Sequence, residues 1–209
     1  MLKSVQTEKA KRKVFRLSRV IDEDRQFFND MNLDINDQKE LASLINEKLL
    51  KIPQEDLLDL PFRSSQRKRY RSRFSDGTFP VFYSALEEET AKAEVSYLFK
   101  KKFVGNPQEN RTAYYQIFSC AFNGLEKDLR NKEADWPDLK HDNDYSFCNK
   151  LRKEVLKLKI DGLVVPSARH IGSNMPIFTR RAVNGVKLGG VMKVTFLYDS
   201  GDVCIEDLR

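Results

Sequence analysis

Residues 80–102, PVFYSALEEETAKAEVSYLFKKK, place a strand pattern directly before a helix pattern. The first part, residues 80–85, is short and contains aromatic and β-branched side chains, which predicts a strand. The second part, residues 87–102, begins with three glutamates and ends with three lysines. Because that order of charges complements the dipole of an α-helix, residues 87–102 are predicted to form a helix.

Similar patterns recur on both sides of this segment. A helix is predicted over residues 36–50, where leucines and an isoleucine recur at i, i+3, i+4 and i+8. A further helix is predicted over residues 146–158. Strands are predicted at residues 14–17, 112–122, 162–165, 175–179 and 191–198. Since helices and strands alternate early in the chain and strands dominate late, we expect an α+β fold with a mixed or mainly antiparallel central sheet.

The composition fits a soluble single-domain protein. A chain of 209 residues suits one domain, or one domain with an extension, and its 14 Phe and 7 Tyr can fill a core. Neither a membrane-spanning run of about 20 apolar residues nor a secretory signal is visible. Three cysteines without paired spacing predict reduced thiols in a cytosolic protein, and two distant histidines argue against a zinc site. These residues are Cys120, Cys148, Cys204, His141 and His170.

The net charge is +6, and much of the positive excess lies in residues 9–13 and 67–73. Such runs are commonly solvated surface. Two functional interpretations remain open at this point. One is a nucleic-acid footprint, and the other is a pocket for a small molecule that carries phosphate.

Glu94 is the most informative single position. On the predicted helix, Ala91, Glu94, Val95 and Leu98 share one face, which is expected to point towards the core. A carboxylate within that stripe needs a partner or a cleft, because burial of an unpaired charge is unfavourable. The alternative is a glutamate at the edge of the stripe that reaches solvent or pairs with a lysine.

Two further segments contain candidate site residues. YRSRFSDG, residues 70–77, offers Arg71 and Arg73, and a guanidinium can hold a diphosphate through two parallel hydrogen bonds. The alternative for this segment is an exposed basic loop. VVPSAR, residues 164–169, places Ser167 directly after a predicted strand, where sites are often built. Without a nucleophile-elbow motif, Ser167 is expected to donate hydrogen bonds or to be an ordinary turn serine.

Taken together, these segments resemble the RES domain, a family named for its arginine, glutamate and serine. The matching motifs are RFSDG (73–77), PVFYSA (80–85), EETAKAEV (88–95), VVPSAR (164–169) and GSNMPIF (172–178), with VFRL (14–17) similar to the first strand of the family. The resemblance runs from about residue 14 to near the C-terminus. It does not extend to residues 22–69, and Ser75-Asp76 stands where the family commonly has asparagine and proline.

The resemblance implies a fold and a domain organisation. RES proteins resemble ADP-ribosyltransferases, so we expect an α+β fold with a mixed, mainly antiparallel sheet core and flanking helices. Residues 1–13 are expected to form a basic N-terminal tail. Residues 14–209 would then form a single RES domain that contains an unmatched helical insertion at about residues 22–69.

The resemblance also implies an activity. We expect an NAD-degrading enzyme, a glycohydrolase or phosphorylase that cleaves the nicotinamide–ribose bond and acts as a bacterial toxin. One alternative is an ADP-ribosyltransferase that modifies a protein target. A third hypothesis, a basic nucleic-acid-binding module, leaves Glu94 and Ser167 unexplained.

Site roles follow from the same resemblance. Glu94 would stabilise the cationic ribose, Arg73 would hold the diphosphate or the nicotinamide ribose, and Tyr83 would stack on nicotinamide. Ser167 would donate a hydrogen bond to ribose or phosphate. Additional binding contacts are expected from Arg71, Arg169 and Asn174.

Cofactor and partner expectations complete this set. NAD is the substrate, inorganic phosphate is a possible co-substrate, and no metal is required because the leaving group is already cationic before cleavage. The expected protein partner is an Xre-type helix-turn-helix antitoxin or another immunity protein. Nucleic acid would be contacted only through the antitoxin, and no membrane is involved. The expected location is the bacterial cytoplasm.

Overall fold

The computed structural model describes residues 1–21, 54–63, 71–105 and 109–208, together with the helical positions Asn36 and Glu40. Most of the helix predicted over residues 36–50 therefore lies outside the described residues. The same holds for most of the expected insertion at residues 22–69 and for the first part of the basic run at residues 67–73.

The described residues form helices and strands that largely follow the predicted ones. The helices are α1 (Gln54–Asp59), α2 (Glu88–Phe103) and α3 (Ser146–Leu158). The strands are β1 (Glu8–Ile21), β2 (Phe82–Ala85), β3 (Arg111–Asp128), β4 (Gly162–Pro166), β5 (Ser173–Ile177), β6 (Val183–Leu197) and β7 (Asp202–Asp207). No helix in the described part of the chain is long and apolar enough to cross a membrane.

The strands form a seven-stranded sheet that closes on itself along part of its length. β1 pairs with both β2 and β3, β2 pairs with β5, β5 pairs with β4, and β4 returns to β3. Among the strands that the structure describes, only the β3–β4 pair is parallel, and β6 and β7 extend the sheet outward from β3. The prediction of an α+β fold with a mixed, mainly antiparallel sheet is therefore confirmed.

β3 connects the two parts of the sheet because it is 18 residues long and uses both of its edges. One edge pairs with β1 from Tyr114 to Glu126. The other edge pairs first with β6, from Arg111 to Phe122, and then with β4, from Glu126 to Asp128. The aromatic and β-branched residues that predicted this strand suit a pleated surface that is covered on both faces.

Apolar clusters cover the inside of the ring and the two faces that carry helices. Alternate residues of β4 point to opposite sides, so Val164 lies inside the ring while Leu163 and Val165 pack against α3. The interior also contains Val14, Phe82, Phe118, Phe122, Met175 and Ile177. A third cluster joins α2 to the sheet through Ala91, Phe99, Ile117, Met192 and Phe196.

The first strand begins earlier than predicted. β1 starts at Glu8, so the residues expected to be a basic tail are in part a paired strand, and Leu2 is fully buried ahead of it. Lys9, Lys11 and Lys13 are exposed, whereas the intervening side chains turn inward. The alternation is that of a half-buried strand. It was hidden because an arginine occupies one of the inward positions.

The buried cysteines are expected to be unreactive in the native protein. Burial raises the pKa of the Cys120 thiol to about 12 and that of the Cys148 thiol to about 11, whereas Cys204 is exposed. Since the thiolate is the reactive form, a thiol reagent should label one cysteine quickly and the other two only after denaturation. Cys204→Ser should remove the fast phase. Fast labelling of two thiols in folded protein would contradict this expectation.

Candidate functional site

A cavity of about 360 Å³ opens between β1, β2, α2 and the loops around them. This volume lies within the range of small-molecule sites. Four arginines and Glu94 line the cavity together with tyrosines and apolar side chains. Of the predicted site residues, the cavity brings together Arg71, Arg73, Tyr83, Glu94, Arg169 and Asn174.

Glu94 extends from the middle of α2 with one carboxylate oxygen fixed. Its Oε1 accepts hydrogen bonds from Ser167 Oγ at 2.7 Å and from Asn174 Nδ2 at 2.5 Å. Its Oε2 accepts no hydrogen bond from any described residue. The carboxylate is therefore oriented through one oxygen, and the other remains available to a ligand.

The face of α2 that contains Glu94 packs against the core through Ala91 and Val95, as expected, and it also borders the cavity. Ala91, Val95 and Leu98 line the cavity together with Glu94, and the Leu98 side chain is 59% exposed. The periodicity identified the correct face. It could not distinguish a core from the wall of a hollow, because both are apolar.

Ser167 lies behind Glu94 and is not among the residues that line the cavity. It is only 1% exposed, and its hydroxyl donates to Glu94 while accepting from the backbone N–H of Arg169 at 3.0 Å. The Ser167 N–H donates to the carbonyl of Gly172 at 3.0 Å, which closes the loop after β4. Ser167 thus contacts a cavity residue rather than the space that a ligand would occupy.

Arg169 forms part of the cavity wall. Its guanidinium lies 3.4 Å from the centre of the Tyr97 ring and pairs with the carboxylate of Asp142. The hydrogen bond from Arg169 is the main reason why the pKa of Asp142 is lowered. These contacts connect α2 to the loop that precedes α3, so Arg169 is already engaged on two sides.

Arg73 lies in a tight turn closed by two backbone hydrogen bonds. The Ser72 N–H donates to the Ser75 carbonyl at 2.8 Å, and the Ser75 N–H donates to the Ser72 carbonyl at 3.2 Å. The Arg73 guanidinium donates to the Leu139 carbonyl at 2.7 Å and lies 5.1 Å from the centre of the Tyr145 ring. The cation is therefore held at the cavity wall by one hydrogen bond and one aromatic face.

Tyr83 supports this turn through its hydroxyl group. The Tyr83 oxygen accepts from the Phe74 N–H at 2.9 Å and is 2.6 Å from Ser72 Oγ. Burial raises the pKa of the Tyr83 phenol to about 12. The side chain lines the cavity, and its hydrogen bonds to the turn were not anticipated from the sequence.

Replacing Tyr83 with phenylalanine should lower the free energy of unfolding by about 1–3 kcal/mol, because the Phe74 N–H loses its acceptor. The folded pKa of Tyr83 is raised above the ordinary value of 10.0. Its contribution is therefore complete below pH 10 and is lost as pH rises towards about 12. Urea unfolding of both proteins, measured at evenly spaced values between pH 8 and pH 12, tests this.

Tyr198→Phe is the matched control for that measurement, because the Tyr198 side chain is half-exposed and no described contact involves its hydroxyl. This variant should unfold as the unmodified protein does. A Tyr83→Phe variant with unchanged stability at pH 8 would show that the hydroxyl does not support the turn.

Arg16 is a cavity residue that the sequence analysis missed. Its Nη1 donates to the Tyr83 carbonyl at 2.6 Å, and its guanidinium lies 4.8 Å from the centre of the Phe82 ring. Burial lowers the pKa of Arg16 to about 10, so the side chain remains charged at neutral pH. A signal was present, since Arg16 stands two residues after Val14 and thus on the inward face of a strand.

The electrostatic character of the cavity follows from its arginines. Arg16, Arg71, Arg73 and Arg169 outnumber the single carboxylate of Glu94 among the lining residues. Arg71 forms no ion pair with a residue that the structure describes. Such a cavity attracts an anionic ligand. Tyr97 and Tyr145, also missed from the sequence, add aromatic surfaces that a flat ring can contact.

No group of three or more His, Cys, Asp or Glu side chains within the described ranges is arranged to hold a metal ion. The residues that line the cavity supply an oriented carboxylate, several guanidinium groups and aromatic faces.

Comparisons with known proteins agree with this architecture. The structure is similar to the toxin chain in the crystal structure of the M. tuberculosis MbcT–MbcA toxin–antitoxin complex, with a TM-score of 0.51. The two chains are 14% identical, and the match covers 88% of this chain and 85% of that chain. At this identity the likeness shows the fold alone. A search of curated proteins finds no match.

The model of the RES domain matches residues 48–199. This range covers more than half of the chain and includes the segments that contain Arg73, Glu94 and Ser167. It begins within residues 22–69, where no motif had been found. This chain belongs to the RES domain family.

Proposed function

We propose that this protein degrades NAD by cleaving the bond between nicotinamide and ribose, and that it acts as the toxin of a bacterial toxin–antitoxin pair. The observation that carries this proposal is the fixed carboxylate of Glu94 in a cavity lined by four arginines. NAD combines the two features that such a cavity suits, because its diphosphate is anionic and its nicotinamide ribose becomes cationic during cleavage.

The chemistry assigns a role to the free oxygen of Glu94. Departure of neutral nicotinamide leaves a ribose with oxocarbenium character, as in other glycosyl transfers. A carboxylate that is already oriented stabilises this positive charge without having to reorganise. Since Ser167 and Asn174 occupy Oε1, we assign Oε2 to the ribose.

The arginines are assigned to the diphosphate. Arg71 is the least constrained of them among the described residues, whereas Arg73 is held by Leu139 and Tyr145. Two guanidinium groups from one turn can grip adjacent phosphates through paired hydrogen bonds. The nicotinamide ring would contact an aromatic face, for which Tyr83 and Tyr145 are the candidates.

Ser167 is assigned a positioning role, which refines the expectation that it contacts the substrate. Ser167→Ala should lower kcat for NAD cleavage by about tenfold, the effect of roughly one lost hydrogen bond, and should change KM little. Ser167→Thr, which keeps the hydroxyl, should recover part of kcat. Steady-state kinetics on the three proteins tests this. A tenfold rise in KM at constant kcat would instead indicate direct substrate binding.

The acceptor of the ADP-ribosyl group is open to direct measurement. Purified protein should consume NAD with no added macromolecule. Analysis of the products then distinguishes hydrolysis from phosphorolysis. Transfer to water gives ADP-ribose, and transfer to inorganic phosphate gives phosphorylated ADP-ribose. A protein that consumes NAD only when a macromolecular acceptor becomes labelled would instead be an ADP-ribosyltransferase. A complete lack of NAD consumption under all three conditions would refute the proposal.

The toxin role is supported by family membership and by the fold shared with a chain of a toxin–antitoxin complex. The proposed partner is an Xre-type helix-turn-helix antitoxin or another immunity protein, and the proposed site of action is the bacterial cytoplasm, where NAD is available. Expression of this chain alone should deplete cellular NAD and stop growth. Co-expression of an adjacent helix-turn-helix gene product should prevent both effects.

A further inference from the structure

The β4–β5 segment, residues 167–174, is attached to the start of α2 through Glu87. The Oε2 atom of Glu87 accepts the Ser173 N–H at 2.8 Å and the Thr90 hydroxyl at 2.9 Å. The Leu86 N–H donates to the Ser173 carbonyl at 2.9 Å, which extends the pairing of β2 with β5 by one residue. The carboxylate of Glu87 therefore takes up the next N–H of β5, at the point where the backbone of the chain turns into α2.

The backbone of this segment approaches α2 too closely for a side chain at Gly172. A Cβ atom at this position would lie 2.1 Å from Thr90 Oγ1 and 2.3 Å from Glu87 Oε2, well inside van der Waals contact. Thr90 is fully buried, and its Oγ1 lies 3.0 Å from His170 Nδ1. Because the contact is closely packed as well as hydrogen-bonded, it fixes the distance between the segment and the helix.

The two ends of the same segment hold the Glu94 carboxylate. Ser167, at its start, and Asn174, at its end, both donate to Glu94 Oε1. Glu87 and Glu94 are seven residues apart, which is about two helical turns, so they lie on the same side of α2. One side of α2 therefore contacts the β4–β5 segment twice, near its middle through Glu87 and at both of its ends through Glu94.

Helix stability does not explain a glutamate at position 87. Glu87 is the N-cap residue of α2 and has extended backbone angles, but its side chain makes no capping hydrogen bond in the described helix. Serine, threonine, aspartate and asparagine are preferred at an N-cap, because their short side chains accept an N–H of the first turn. The longer glutamate side chain instead reaches the Ser173 N–H. The chain thus forgoes a helix cap and gains the contact with the segment.

We propose that Glu87 is a positioning residue for the carboxylate of Glu94. By holding the middle of the β4–β5 segment, it keeps Ser167 and Asn174 in place on Oε1 and so leaves Oε2 available to the substrate. Glu87 is not among the described residues that line the cavity, so it acts through the segment rather than on a ligand. This inference rests on the role proposed for Glu94 in NAD cleavage.

Glu87→Ser separates this role from a structural one, because it removes the contact with Ser173 and supplies a preferred N-cap. The thermal unfolding midpoint should therefore stay the same or rise. In contrast, kcat for NAD cleavage should fall by about threefold to tenfold with little change in KM, because the arginines assigned to the diphosphate are unaffected. Glu87→Gln, whose amide oxygen can still accept the Ser173 N–H, should recover most of kcat. Glu89→Gln is the matched control and should behave as the unmodified protein does in both measurements.

The side-chain amide resonances of Asn174, observed by nuclear magnetic resonance, provide a second readout that does not depend on NAD. They should shift in Glu87→Ser and stay in place in Glu87→Gln and in the control. The inference is overturned if Glu87→Ser leaves either kcat or these resonances unchanged, or if kcat falls only in step with a lower unfolding midpoint. If the unmodified protein consumed no NAD, the proposed function would fail, and the Asn174 resonances alone would decide whether Glu87 positions the Glu94 carboxylate.

Discussion

Replacing Glu94 with glutamine should lower the rate of NAD consumption by about 10²- to 10³-fold, the usual effect of removing one preorganised electrostatic group. Glutamine has nearly the same shape, and its carbonyl oxygen can still accept from Ser167 and Asn174. The charge that would face the ribose is lost. The loss should therefore appear in kcat for NAD cleavage, while the thermal unfolding midpoint changes little.

Glu89→Gln is the matched control for this experiment. Glu89 lies on the same helix and is well exposed, and it pairs with Lys92 rather than bordering the cavity. Exposed pairs of this kind contribute little to stability, so this variant should keep full activity and a normal midpoint. If Glu94→Gln retained more than about a tenth of the activity, a change of under 1.4 kcal/mol, the central role assigned to Glu94 would be wrong.

Elements that depend on local sequence were predicted well. The helix expected over residues 87–102 is α2, Glu88–Phe103, and the helix expected over residues 146–158 is α3 with the same bounds. Charge order at the helix ends and apolar periodicity are local properties, which is why one sequence sufficed. β7 was missed because most of its residues are exposed and show no regular alternation.

Closure of the sheet could not be predicted, because it depends on contacts between distant residues. Val14 pairs with Cys120, and a single pair, Phe15 with Ala85, joins β1 to β2. No local pattern specifies such partners. The closure nevertheless brings Arg16 into the cavity, so a strand-pairing event creates part of the site.

The candidate site was predicted in its membership more than in its arrangement. The family motifs identified Arg73 and Glu94, which line one cavity. They did not reveal that Ser167 lies behind Glu94 or that the Tyr83 hydroxyl supports the turn of Arg73. Motifs identify which residues occur in the site. The hydrogen bonds between them depend on the conformation of the loops, which a motif does not specify.

The largest effect on stability is expected from the ion pair that joins β1 to β3. Glu126 is fully buried, and Arg12 Nε lies 2.9 Å from both of its carboxylate oxygens. Arg12→Met should lower the free energy of unfolding by about 3 kcal/mol, because it leaves a buried carboxylate unpaired. We place the value at the lower end of the usual range since the Arg12 side chain is 26% exposed and water can reach it.

The matched control is the pair of Arg130 and Asp128, and Asp128 lies two residues after Glu126 at the end of β3. Arg130 and Asp128 form a pair of similar geometry on the surface, and Arg130→Met should cost less than about 1 kcal/mol. If urea unfolding showed that Arg12→Met and Arg130→Met lower the free energy of unfolding equally, burial of Glu126 would not make its ion pair more important for stability.

A double variant separates pairing from burial. Arg12→Met combined with Glu126→Leu should recover most of the loss, because an apolar pair leaves no charge to satisfy. Glu126 pairs with both β1 and β4, four residues after the last pair between β3 and β6. Arg16 lies four residues beyond Arg12 on the same face of β1. Weaker pairing between β1 and β3 should therefore also displace the Arg16 guanidinium in the cavity. We therefore expect Arg12→Met to raise KM for NAD, and the double variant to restore it together with stability.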